Sequence, residues 1–190
     1  LSWCEERTTE LVAYHLDKAN LAVTVLDHTG LFADLGPSEG PIVALRADLD
    51  ALPIDDTTSD PWKSKNPGVA HACGHDILTA ALLGDGLALA KTLRKIGLPY
   101  RVRLVFQPAE ESMPGGALEM MSSGAIAGVS RMFGLHSDPS LVVGQIGVRE
   151  GAITGASDRV SVKLSGRGGH TSRPHLTEDL TFAIVAIITQ

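Results

Sequence analysis

Cysteine is scarce: Cys4 and Cys73 are the only two in 190 residues. That is too few for the disulfide framework of a small secreted scaffold, so each thiol has to be weighed as a metal ligand or nucleophile. No run of Lys or Arg forms the positive stripe that a phosphate backbone requires, and 16 basic against 22 acidic residues leave a net charge of −6. Nucleic acid is therefore not an expected partner. No uncharged apolar stretch approaches the roughly 20 residues that span a bilayer, so no membrane partner is expected either. Leu1 to Arg7 lacks the basic start and apolar middle of a signal peptide, and the chain reads as soluble and cytoplasmic. An initiating Met is also missing, and Thr181 to Gln190 run apolar to the end without a stop signal. Both ends read as cut.

With 44% hydrophobic and 20% charged residues the composition is globular. The length suits one core of roughly 100–150 residues and the start of a second domain. Glu5 to Ala19 carries Leu11, Val12, His15 and Leu16 near the helical period, with Thr8, Thr9 and Glu10 toward water, which predicts an amphipathic helix. Ala22 to Leu26 is a short β-branched segment. Gly36, Pro37, Gly40 and Pro41 precede Ile42 to Leu45, a continuous apolar run that predicts a strand covered on both faces. Asp76 to Arg94 is nearly apolar all round and predicts a buried helix, stopped by Gly97 and Pro99. Further strands are expected at Arg101 to Phe106 and Met132 to His136, with a short helix from Gly116 to Ser123 between them. Alternation of this kind predicts an α/β fold with a mixed, largely parallel sheet and helices on both faces. Composition loosens around Gly151 to Gly155, and Arg159 to Leu164 alternates strictly as a half-solvated strand would. The domain boundary is placed near Ala156, with a second α+β unit opening after it.

Five of the seven histidines, His71, His75, His136, His170 and His175, lie in short segments dense with Gly, Cys or acidic residues. Arg46, Asp48 and Asp50 are spaced two apart and would share a face as the third strand runs out. Ligands of open α/β sheets sit at the carboxyl ends of strands. His71-Ala72-Cys73-Gly74-His75-Asp76 sets a thiol and an imidazole two residues apart in a Gly-containing loop before a helix, a pairing that suits zinc and related divalent ions. Gln107-Pro108-Ala109-Glu110-Glu111 places adjacent carboxylates after a buried strand, where a cation would neutralise them. One could ligate while the other moves a proton; an exposed turn with two charges is the plain alternative. Gly134-Leu135-His136 adds an imidazole at the end of the next strand. Cys73, His75, Glu111 and His136, with Glu110 beside them, could complete one closed site, whereas a dinuclear site needs at least one ligand more.

These motifs resemble the metal-dependent amidohydrolases that include hippurate hydrolase, N-acyl-amino-acid hydrolases and indoleacetyl-amino-acid hydrolases. The likeness runs from Leu1-Ser2-Trp3 through Arg46 to Pro53, His71 to Asp76, Gln107 to Glu111 and Gly134 to His136, to Gly168-Gly169-His170. It implies an aminopeptidase-like catalytic domain binding two divalent ions, zinc or manganese, interrupted by a lid that forms a homodimer. Residues 1–155 would be the incomplete catalytic domain and 156–190 the opening of the lid. The resemblance further implies Cys73, His75, Glu111 and His136 as metal ligands, and Glu110 as general base and then acid. Asp50 would orient a ligating histidine, and His170 would reach the partner subunit's site to stabilise the oxyanion. The substrate implied is an N-acyl amino acid. Leu78 stands where relatives carry a second histidine, and Ser112-Met113-Pro114 replaces a glycine string. The last metal ligand and the groups that hold the substrate carboxylate would come after Gln190.

Two rival enzyme readings and one inactive reading compete. Gly36-Pro37-Ser38-Glu39-Gly40 matches the G-x-S-x-G nucleophile pattern, but that elbow needs a following helix, and Pro41 with a strand is expected there. A Cys73 nucleophile paired with histidine leaves Glu110 and Glu111 unexplained. The third alternative is a truncated fragment that binds metal weakly and turns nothing over.

Overall fold

The computed structural model describes residues 1–96, 99–155, 158 and 160–189, and of 94 and 95 only the backbone. The described elements run α1 (Glu6–Lys18), β1 (Ala22–Val25), β2 (Leu31–Leu35), β3 (Ile42–Asp48), α2 (His75–Ile96), β4 (Arg101–Gln107), α3 (Ala117–Ser122), β5 (Val129–Gly134), a 3₁₀ turn (Pro174–Leu176) and α4 (Leu180–Ile188). The chain divides into two compact units, Leu1–Val142 and Val143–Gln190. The boundary expected at Ala156 falls on a residue outside the described ones.

The first unit is built on a five-stranded sheet in the order β1-β2-β4-β3-β5. β1 pairs with β2 and β2 with β4 antiparallel, whereas β3 pairs with both β4 and β5 in parallel. The expected mixed sheet is thus observed, its parallel part being β4-β3-β5. Period-two alternation sorts side chains to its two faces. Leu31, Ala33 and Leu35 of β2, Ala47 of β3, and Val102, Leu104 and Phe106 of β4 form one core with Val12 and Leu16 of α1 and Leu78, Leu82 and Ala90 of α2. Ala44 and Val105 face the other way and pack with Met120 of α3 and Ala125. Helices therefore cover both faces.

Several expectations need correction. No element was expected at Leu31–Leu35, yet it forms β2, because Asp34, which interrupts its apolar pattern, is paired by Arg103. The Arg103 Nε and Nη2 donate to both Asp34 carboxylate oxygens at 2.6 and 2.8 Å. Its Nη1 donates to the carbonyls of Gly124, Ala125 and Ala127, so a buried cation ties β2 and β4 to the turn after α3. In α1 the inward face is Thr9, Val12 and Leu16, while Leu11 is exposed. Thr9 was assigned to solvent, but its hydroxyl accepts from the Gly30 amide at 2.9 Å. α2 is not buried all round: Leu78, Leu82 and Ala90 face the core, and Ile77 is 62% exposed. The chosen stop signal Gly97 lies outside the described residues. The last strand begins at Val129 and ends at Gly134, which leaves His136 beyond it.

In the second unit, α4 is capped by Asp179, whose carboxylate accepts from Thr181 N at 2.9 Å. The strand expected at Arg159 to Leu164 is not observed among the described residues; 160–164 carry no ladder. Alternation alone cannot make a strand where no neighbour satisfies its backbone. No helix among the described residues is long and apolar enough to cross a membrane.

Candidate metal centre

Because β3, β4 and β5 run parallel, their carboxyl ends share one edge of the sheet, and register keeps them nearly level: Asp48 pairs with Gln107 and Arg46 with Gly134. The segments that follow each strand therefore converge. Asp50 follows β3, Glu110 and Glu111 follow β4, and His136 follows β5. The fourth segment, His71 to Gly74, leads into α2, whose first residue is His75. An isolated antiparallel bridge, Leu52 with Ala70, joins the two ends of the loop between them just before His71.

His75 is fully buried. Its Nδ1–H donates to the Asp50 carbonyl at 2.9 Å and lies 3.4 Å from Asp50 Oδ1. That bond fixes the tautomer and leaves Nε2 as a lone pair, which is buried and has no hydrogen-bond partner. Asp50 Oδ2 accepts from Ser2 Oγ at 2.7 Å and from the Glu111 amide at 2.9 Å. Burial alone would raise the Asp50 carboxyl, but the bonds from His75, Glu111 and Ser2 hold it well below the usual carboxylate range. The carboxylate in turn holds His75 above the usual imidazole range. Asp48 pairs with the Arg46 guanidinium, and its carbonyl accepts from Thr79 Oγ1 at 2.8 Å. Burial pushes its carboxyl up to about 6 against the pull of Arg46.

His136 is the mirror case: its Nδ1–H donates to the Ser137 carbonyl at 2.8 Å, and its Nε2 lies 3.3 Å from Cys73 Sγ. Burial and the neighbouring Glu111 push the Cys73 thiol up to about 11, so without a cation the sulfur keeps its proton at neutral pH. Gly74 has φ +83° and lies against Ser137, whose hydroxyl donates to the Cys73 carbonyl at 3.2 Å; a Cβ on Gly74 would collide with that hydroxyl. Only glycine fits both the dihedral and the space.

Cys73, His75 and His136 offer ligand atoms all within 4.8 Å of one another, and so do His75, Glu110 and Glu111. His75 belongs to both groups. A thiol, two imidazole nitrogens and carboxylates are the donor set of zinc and related divalent ions, and the orphaned Nε2 of His75 is what such an ion would satisfy. The residues fit a metal. Of the residues singled out in the sequence, Asp50, Cys73, His75, Glu110, Glu111 and His136 are brought together in the first unit. His170 lies in the second unit, exposed, with its Nδ1 accepting from the Ser172 amide at 3.2 Å. His71 is exposed in the turn closed by Gly74 N to His71 O, and His175 is exposed in the 3₁₀ turn. Leu78 faces the apolar core rather than the ligand atoms. Ser38 lies between β2 and β3 with no helix following, so the serine elbow is absent. No role was expected for Ser2, although it lies within the Leu1-Ser2-Trp3 segment that carries the resemblance, and none for the pairing of Arg46 with Asp48.

Comparison with known proteins agrees with this geometry. A protein of Rhodococcus jostii (strain RHA1) bearing the name glutamate–cysteine ligase 2-3 is 50% identical over the whole chain, which covers 24% of it. An N-acetylcysteine deacetylase of Bacillus subtilis (strain 168) is 39% identical over the whole chain, which covers 50% of it. The crystal structure of a dinuclear metal binding peptidase from Bacillus subtilis superposes with a TM-score of 0.73 at 42% identity, over 80% of this chain and 42% of that one. The chain thus spans about half or less of the length of these relatives. The profile of Peptidase family M20/M25/M40 matches residues 44–190, a stretch that holds every ligand candidate at the strand ends. This chain belongs to Peptidase family M20/M25/M40.

Proposed function

We propose that this chain contributes the metal-binding half of an amidohydrolase that cleaves the amide bond of N-acyl amino acids. The observation that carries the reading is the buried, unpartnered Nε2 of His75, a residue with a ligand atom within reach both of Cys73 and His136 and of Glu110 and Glu111. Cys73, His75, Glu111 and His136, with at least one further ligand, would hold two divalent ions, zinc or manganese, which when bound supply Lewis acidity toward a carbonyl and acidify water. Glu110, exposed beside the ligands, takes a proton from the attacking water and returns it to the leaving amine. Asp50 keeps His75 in the ligating tautomer. The deacetylase name of the Bacillus relative supports an N-acyl substrate. The ligase name belongs to a protein of which this chain covers only 24%, and it carries no ligase chemistry here.

The reading extends to a catalytic domain at 1–155 and a lid opening at 156–190, a homodimer formed through that lid, and His170 stabilising the oxyanion in the partner subunit's site. A cytoplasmic location accords with two unpaired cysteines. The test is Glu110→Gln in the full-length protein. Turnover of N-acetyl amino acids should fall by at least a thousandfold while metal content, measured by emission spectrometry, stays unchanged. Retained turnover would remove Glu110 from its role.

A further inference from the structure

The Glu110–Glu111 pair leaves β4 through an uncommon turn. Ala109, the residue before it, has φ +48°, a left-handed conformation that a Cβ disfavours. Something outside the turn has to hold it there, because nothing in an alanine side chain does. The turn's two ends are tethered on opposite sides: the Glu111 amide donates to Asp50, and the Ala109 amide donates to Glu5 Oε1 at 2.8 Å. Glu5 lies 104 residues earlier in the chain and is only 4% exposed.

Glu5 occupies the N-cap position of α1, yet its side chain makes no capping hydrogen bond. Both of its oxygens are committed elsewhere: Oε1 to Ala109, and Oε2 to the buried Thr29 hydroxyl, which donates at 2.6 Å. Thr9, one turn along α1, accepts from the Gly30 amide. Gly30 has φ +88° and lies so close to Pro108 that a Cβ would collide with the proline ring. The hairpin turn before β2 is thus packed against the start of the catalytic turn, and Glu5 is the group that touches both. Three residues before it, Ser2 donates to Asp50.

We infer that Glu5 is a positioning residue for the Glu110–Glu111 pair: its carboxyl group holds the left-handed turn at Ala109 and so fixes the direction in which both side chains leave β4. This rests on the metal-site reading for what the pair does, but the tether itself can be measured without a metal. A buried acceptor spent on a strained amide, when a helix cap lay within its reach, is what a fixed loop geometry requires.

The experiment pairs amide hydrogen exchange of the metal-free protein with cobalt titration, for wild type, Glu5→Ala and Glu5→Gln. In Glu5→Ala, protection of the Ala109 amide should fall at least tenfold while amides of β3 and of Leu104 keep theirs. Affinity for the cobalt ion that Glu111 holds should fall at least tenfold, and the Cys73 thiolate-to-cobalt absorption at saturation should persist. Glu5→Gln keeps a carbonyl acceptor for Ala109 and should restore both quantities to within threefold of wild type. Ala109 exchange unchanged in Glu5→Ala would overturn the role of Glu5 alone. Equal loss of protection across β3 and β4 would also overturn it, by showing a general fold contribution. Absence of cobalt binding by the wild type would overturn the metal reading, and with it the functional weight of Glu5, whatever the exchange shows.

Discussion

Asp50→Asn is the sharpest single perturbation of the site, because the roles of its two oxygens are fixed by their surroundings. Oδ2 accepts from both Ser2 Oγ and the Glu111 amide, so the carbonyl oxygen of an asparagine has to occupy that place. Its NH₂ group then points at His75 Nδ1, where Oδ1 now lies 3.4 Å away. The new donor faces Nδ1–H, which the backbone carbonyl of residue 50 still holds at 2.9 Å. The tautomer therefore stays, while the ring loses its anionic partner and Nε2, the atom that should ligate, becomes a weaker and less well aimed donor. Loss of such an orienting partner lowers metal affinity roughly 10–100-fold, equivalent to about 1.4–2.7 kcal/mol. The fold should lose less, about 1–2 kcal/mol, as two bonds to a charged acceptor become bonds to a neutral one. Zinc affinity is read by competition with a chromogenic chelator, and stability by urea unfolding of the metal-free protein. The reasoning fails if Asp50→Asn binds zinc within threefold of wild type while His75→Ala does not bind it.

Cys73→Ala should lower metal content and remove the thiolate-to-cobalt absorption, with His136 left as a weaker ligand; a cobalt spectrum unaltered by the substitution would place the sulfur outside the coordination sphere. Gly74→Ala should destabilise the metal-free protein by about 1–2 kcal/mol for the left-handed backbone alone, plus the collision with Ser137, and adding Ser137→Ala should recover only the collision part in thermal unfolding. Arg103→Met should cost about 3 kcal/mol, since it strands Asp34 and the three carbonyls that Arg103 serves. A shift of the urea midpoint worth less than about 1 kcal/mol would show that solvent at the partly exposed Asp34 compensates.

The site was legible in the sequence to the extent that its residues are side-chain donors in compact segments. Cys73, His75, Glu111 and His136 each announce themselves by residue type and by a position after a strand or before a helix, and parallel pairing of β3 with β4 and β5 does the rest. What was not legible depends on partners far away in the chain. No strand was expected at Leu31–Leu35, where the partner of Asp34, Arg103, is 69 residues distant, and Thr9 looked like a solvent-facing residue because its partner is a backbone amide at Gly30. The strand expected at Arg159 to Leu164 failed for the complementary reason: local alternation was present, but no described segment pairs with it. Periodicity reports the face a residue prefers, and only the fold decides what stands opposite it.

The bridge between Leu52 and Ala70 has a consequence for how this protein can vary. Its two hydrogen bonds, Leu52 N to Ala70 O at 2.9 Å and Ala70 N to Leu52 O at 3.1 Å, pinch the intervening loop at its base. Whatever happens between residues 53 and 69, His71 to His75 leave from the same point. Closing a longer loop costs only about 0.6 kcal/mol per doubling of its length, so insertions there are cheap and do not reach the ligand candidates. Insertions within β3, β4 or β5 are another matter, since a one-residue slip moves a strand end by about 3.3 Å and turns its side chains to the other face. Length variation among relatives should therefore accumulate inside that pinched loop, which makes it the natural place to attach a label or a fused domain without disturbing the candidate metal centre.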